Sequence, residues 1–128
     1  MKTREQLNEL SGIIIDAAID VHREFGPGLL ERVYEAALAR ELKLRSVQVC
    51  RQVAAPVVYI GETLDEDGYR IDLLVEDSVV VELKTVAALL PIHEAQLLTY
   101  LRLGKKRLGY LVNFHAHHFK YAIKRFIN

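Results

Sequence analysis

Two strand-forming segments, Tyr69–Val75 and Val79–Thr85, are separated by only Glu76, Asp77 and Ser78, and this arrangement constrains the fold of the chain more than any other feature. β-branched and aliphatic residues dominate both segments and polar turn formers lie between them, which predicts an antiparallel hairpin centred on Asp77. In that register Asp72 lies opposite Glu82, Arg70 opposite Lys84 and Leu74 opposite Val80. Side chains alternate across a strand, so these polar residues share one face while Ile71, Leu73, Val81 and Leu83 line the other. Two carboxylates facing each other with Cβ atoms about 5 Å apart destabilise a sheet unless something neutralises them. A divalent cation would do so. A three-residue loop usually ends on a left-handed residue, commonly Gly, whereas this one ends on Ser78. A five-residue loop keeps the same facing, and a two-residue loop would separate the carboxylates.

At 128 residues the chain is expected to form one domain with a sizeable core, needing neither disulfides nor structural metal. Cys50 has no cysteine partner, and the charged opening Met1-Lys2-Thr3-Arg4-Glu5 is not followed by a signal-peptide core, so a cytoplasmic location is expected. No apolar run approaches the about 20 residues that span a bilayer. Seventeen basic side chains balance seventeen acidic ones, which excludes grip on nucleic acid by bulk charge alone. Local clusters remain: Arg102 with Lys105, Lys106 and Arg107, and Lys120 with Lys124 and Arg125. These are either solvated surface or nucleic-acid contacts, and an acidic metal cluster would mask part of a basic surface in the total.

Leu7, Leu10, Ile14, Ala17 or Ala18, Val21 and Phe25 recur at helical spacing, and Gly26-Pro27-Gly28 ends that amphipathic helix. A second helix is expected from about Leu29 to Leu44, with Leu30, Val33, Ala37 and Leu44 facing inward. The segment Val47 to Ile60 reads as extended, with Pro56 implying an edge position or a break. Gly61 and Asp65-Glu66-Asp67-Gly68 then punctuate the chain. Pro91 opens a third helix running to about Leu103, with Leu97, Leu98 and Leu101 as its apolar positions, and Gly104 stops it. Arg107 to Phe114 reads as a short apolar strand, so strand, helix and strand suggest a parallel right-handed crossover. From about His118 to Phe126 the tail fits either a short helix or an extended segment. The organisation is therefore helices in 5–45, a sheet with a crossover helix in 47–114 and a C-terminal segment 115–128. This is an α/β fold with helices packed on a mixed sheet.

Gly28-Leu29-Leu30-Glu31-Arg32-Val33-Tyr34 is a GxxExxY motif, and from about Ile14 to Asn128 the chain resembles the GxxExxY proteins of the PD-(D/E)XK nuclease superfamily. The resemblance also takes in Tyr69–Val75, Val81-Glu82-Leu83-Lys84 and His93–Tyr100. Four segments in the same order are far more specific than a lone D…ExK. The resemblance implies the αβββαβ restriction-endonuclease-like core and a metal-dependent nuclease hydrolysing phosphodiester bonds, with DNA favoured over RNA as substrate. Asp72 and Glu82 would hold Mg²⁺ or Mn²⁺ with the main-chain carbonyl of Leu83, and Glu31 would face the metal directly or through water. Lys84 would orient the attacking water and offset negative charge. Gln96 and Tyr100 form a QxxxY pattern that in one branch of the superfamily lines the site, while His93 lies on the same helix stripe and would reach a phosphate. Tyr34 would line the site or pack.

Ordinary structural roles compete with each assignment. Lys84 would form a surface ion pair with Glu82. Glu31 would be an acid favoured at a helix N-terminus, and Gly28 supplies a backbone conformation rather than chemistry. His115, His117 and His118 lack the cysteine or carboxylate that would complete a tetrahedral zinc set. At the level of the whole protein, the alternative is a catalytically silent nuclease-fold module that holds nucleic acid or a protein partner. Self-association into a homo-oligomer is compatible with either, given the apolar helix faces in the first 45 residues.

Overall fold

Reciprocal capping fixes the start of the first helix: Thr3 Oγ1 accepts from the Gln6 N–H and Gln6 Oε1 accepts from the Thr3 N–H. That satisfies two donors without helical partners, and helix α1 runs Arg4–Phe25 in the computed structural model, which describes residues 1–128. Its buried stripe is Leu7, Leu10, Ser11, Ile14, Ala17, Ala18, Val21 and His22, in agreement with the spacing except that Phe25 is exposed. Beyond α1, Gly28 has φ +119, a conformation that side-chain-bearing residues rarely adopt. The chain turns back there into α2, Glu31–Leu44.

The inward face of α2 is Tyr34, Glu35, Leu38, Ala39 and Leu42. This corrects the expected face, because Leu30, Val33 and Leu44 are exposed and only Ala37 packs against the core. Apolar residues repeat at helical spacing on both sides of α2, so periodicity alone leaves its rotation open.

The five strands are β1 (Val49–Tyr59), β2 (Glu62–Val75), β3 (Val79–Lys84), β4 (Leu108–Asn113) and β5 (Ile123–Ile127), in spatial order β1-β2-β3-β4-β5. Helix α3 (Pro91–Leu103) carries the chain from β3 to the parallel β4, and every other neighbouring pair is antiparallel. The tail contains both structures considered for it, a single 3₁₀ turn at Phe119–Tyr121 followed by β5. The sheet is mixed and helices cover it, as the restriction-endonuclease-like architecture requires. No helix is long and apolar enough to cross a membrane.

Pro56 lies on the edge strand β1, where the register against β2 shifts, so edge position and irregularity coincide. Asp65–Gly68 does not end a strand as expected but is carried inside β2 as part of that bulge. Gly68 is required by close approach rather than by a turn: a Cβ there would lie 2.3 Å from Val57 Cγ2.

The β2–β3 hairpin has the anticipated centre, with Leu73↔Val81, Leu74↔Val80 and Val75↔Val79. The left-handed residues of its turn are Glu76 and Asp77, both at φ 51, and the Ser78 N–H closes it on the Val75 carbonyl. The ladder stops at Leu73↔Val81, so Arg70 does not pair with Lys84; its Nη1 donates instead to the Gln52 carbonyl on β1.

Two apolar clusters sandwich the sheet. The larger joins Leu73, Val75, Val79, Val81 and Leu83 to α1 and α2, and the smaller joins Tyr69, Ile71, Val80 and Leu111 to Leu97 and Leu101 of α3. Leu98 of α3 stays exposed. Ile71 therefore does not share the face of Leu73: β2 rotates across Asp72, where it parts from β3.

Candidate active site

Asp72 and Glu82 converge where the β2–β3 ladder ends. The Asp72 N–H donates to Glu82 Oε1 at 3.1 Å, and the Leu83 N–H donates to Asp72 Oδ2 at 2.9 Å. Each carboxylate thus takes one main-chain donor from the opposite strand, which fixes the pair in mutual reach. Glu82 is only 7% exposed, and burial, then the Asp72 charge, push its carboxyl up to about 8. A buried acid held this far up binds a proton at neutral pH, and a divalent cation offers the same relief. The carboxylate oxygens of Asp72 and Glu82, with the Leu83 carbonyl as a further oxygen, are the donors that would hold one. The donor set is all oxygen and sparse, which suits Mg²⁺, an ion that keeps several waters.

Lys84 sits two residues beyond Glu82 on β3, half-buried, and belongs to none of the ion pairs of the molecule. Its ammonium pulls the Glu82 and Glu31 carboxyls downward through space. The simple surface pair with Glu82 is thereby excluded. Asn113 secures this end of β3: its Oδ1 accepts from the Val86 N–H and its Nδ2 donates to the Val86 carbonyl, while the Phe114 N–H bonds the Lys84 carbonyl.

Glu31 opens α2 beside the pair. Its carboxyl is held above the usual range by desolvation first and by the Asp72 charge next, with Lys84 opposing. No three acidic, histidine or cysteine side chains converge on one point, so Glu31 feels the Asp72 charge without completing a three-acid cage, and the three tail histidines form no metal cluster.

On α3, Tyr100 is half-buried, stacks on Tyr69 at 5.0 Å between ring centroids, and has its hydroxyl raised by burial and then by Glu82 and Asp72. The same two charges reach it, and α3 packs on the sheet face formed by Tyr69, Ile71 and Val80. Gln96, one turn earlier, is exposed. His93 Nδ1 accepts from the Leu90 N–H at 3.0 Å and so caps α3, an employment that the sequence did not indicate.

Tyr34 corrects the expected substrate contact. It is fully buried, stacks on Phe114 at 4.6 Å, donates to the Gly26 carbonyl and accepts from the Leu29 N–H at 3.2 Å. It ties the loop ahead of Glu31 to the core and touches no open surface.

Three residues joined to the site were not singled out from sequence. Glu35, buried on α2, binds Arg51 and Gln52 of β1, and Gln52 Nε2 also donates to Asp72 Oδ1 at 3.2 Å. A carboxylate on the apolar stripe of α2 was the available signal for this network.

A family model describing the PD-(D/E)XK nuclease superfamily matches residues 8–126. Comparison with curated proteins and with solved structures yields no match. With that match spanning nearly the whole chain, and with its acids on adjacent strands and its lysine two residues on, the chain belongs to the PD-(D/E)XK nuclease superfamily.

Proposed function

We propose that this protein is a divalent-metal-dependent nuclease of the GxxExxY branch, hydrolysing phosphodiester bonds, with DNA as the favoured substrate. The observation that carries the reading is the convergence of Asp72 and Glu82, Glu82 accepting from the Asp72 N–H and Asp72 from the Leu83 N–H, with Glu82 raised to about 8 and Lys84 outside any ion pair beside it. Asp72, Glu82 and the Leu83 carbonyl would hold the cation, and Glu31 would face it directly or through water. Bound Mg²⁺ or Mn²⁺ supplies Lewis acidity at the phosphate and makes nearby water more acidic. Lys84 orients the attacking water and offsets the negative charge that grows on the phosphate oxygens as the P–O bond breaks. Tyr100 and Gln96 border the place where the substrate strand lies, and His93, on the same helix, contacts a phosphate of it.

Cleavage of single- and double-stranded DNA and RNA with Mg²⁺ or Mn²⁺, compared with Asp72→Ala, Glu82→Ala and Lys84→Ala, tests this. The reading requires metal-dependent cutting that all three substitutions abolish; cutting that survives in them refutes it.

One observation favours a second reading, a nuclease-fold module that holds nucleic acid or a protein without cutting. Lys106 and Lys124, from the two basic clusters, are engaged by Asp77 and Glu94, which reduces the positive surface available to a substrate. A melting temperature that does not rise with Mg²⁺ or Mn²⁺ supports the module, because a ligand specific to the folded state must raise it. The exposed Leu30, Val33 and Leu44 support self-association as a companion proposal, and sedimentation as monomer alone removes it. The cytoplasm is the proposed location.

A further inference from the structure

Gln52 is the one residue bonded to the acidic pair that the nuclease reading leaves without a task. Its side-chain nitrogen donates both to Glu35 Oε1 and, at 3.2 Å, to Asp72 Oδ1. Glu35 is 5% exposed and is itself held by Arg51, from Nε at 3.1 Å and Nη2 at 3.0 Å. Neighbouring residues on a regular strand project to opposite faces, yet Arg51 and Gln52 grasp the same carboxylate. The backbone explains how: Gln52 has φ 51, in the left-handed region. The ladder is in step on both sides of it, with Arg51↔Leu73 and Val53↔Ile71, so no residue is inserted and the left-handed position falls on the residue facing Asp72. An L residue persists in that conformation only where its surroundings impose it, and such residues gather at functional sites.

We propose that Gln52, fixed by Glu35 and Arg51, is a positioning residue that sets the orientation of the Asp72 carboxylate for a divalent cation; this rests on the nuclease reading. Asp72 is then held from both sides, Oδ2 by the Leu83 N–H and Oδ1 by the carboxamide. A neutral amide does this without adding a positive charge that would repel the cation. Glu35 prevents the carboxamide from flipping and presenting its oxygen to Asp72, since both amide hydrogens are taken. Arg51 neutralises Glu35, which keeps that acid from competing for the ion.

The test is calorimetric titration of Mn²⁺ into the wild-type chain, Gln52→Ala and Gln52→Gly, with melting temperatures of the metal-free proteins. Glycine adopts the left-handed conformation freely, so Gln52→Gly removes the carboxamide while relieving the backbone. The expected result is Mn²⁺ affinity weakened about tenfold in both variants, as for other groups that orient a ligand, with the metal-free melting temperature of Gln52→Gly at or above wild type. Unchanged affinity in both variants overturns the proposal. So does a loss confined to Gln52→Ala and matched by a fall in melting temperature, which marks a purely structural role. A wild type that binds Mn²⁺ but cuts nothing overturns the nuclease reading while the affinities still decide the role of Gln52, and a wild type that binds no Mn²⁺ overturns both.

Discussion

At its turn the β2–β3 hairpin is closed by Val75 against Val79, both fully buried in the larger core, whereas its other end holds Asp72 against Glu82 with the strands joined through side-chain oxygens. The closed end removes apolar surface from water and contributes stability. The open end consumes it, because Glu82 is desolvated beside a second acid. One pair of strands thus provides both the rigid support and the destabilised site it carries, which is how a small domain keeps a charged centre in place.

The largest effect is expected at the open end. Lys84→Met keeps the bulk of the side chain and removes its charge, and cleavage should fall about 10³-fold, ~4 kcal/mol of barrier, with the urea midpoint little changed because Lys84 makes no ion pair. A melted variant would erase the distinction between the two ends. Leu73→Ala at the closed end should do the reverse, losing about 3 kcal/mol in urea unfolding as a fully buried side chain is truncated. Its turnover per folded molecule should persist.

pH separates the ends next. In the metal-free chain the Glu82 carboxyl sits at about 8 against 4.5 unperturbed, so between those values the folded state retains a proton that the unfolded chain has released. Stability must therefore fall as pH rises from about 4.5 to 8, by on the order of 2 kcal/mol allowing for relaxation around the buried group. Urea unfolding at pH 5 and pH 8 checks this, and Glu82→Gln should flatten the slope. A stability that rises over that window would contradict the buried state of Glu82. The smallest effect concerns the loop that leads into Glu31: Tyr34→Phe removes the hydroxyl bonded to Gly26 and Leu29 and should lower stability by about 1 kcal/mol in the same assay, with cleavage little changed.

The hairpin register was legible because a period of two and a short polar turn leave one solution that buries Leu73, Val75, Val79 and Val81 together. The α1 stripe, the Pro91 start and Gly104 stop of α3, and the crossover to β4 followed equally directly. The rotation of α2 did not, since Leu30, Val33 and Leu44 repeat as helical positions just as Tyr34, Leu38 and Leu42 do, and only the packed partners choose between them. Asp65–Gly68 carries turn chemistry but serves a bulge, a distinction set by Val57 on the neighbouring strand. For the acidic pair, a spacing of ten residues across a known turn was sufficient. Gln52 was hidden because its reach to Asp72 goes with a left-handed backbone and a bond to Glu35, seventeen residues away, that local propensity does not signal.

Whether Asp72 and Glu82 hold a divalent cation between them is most directly tested by soaking crystals in Mn²⁺ and mapping its anomalous scattering. A peak between the two carboxylates and the Leu83 carbonyl, lost in Glu82→Gln, is the predicted result. A map with no peak there, or with Mn²⁺ bound elsewhere while Glu82 keeps the Asp72 N–H and Asp72 keeps the Leu83 N–H, would contradict the account.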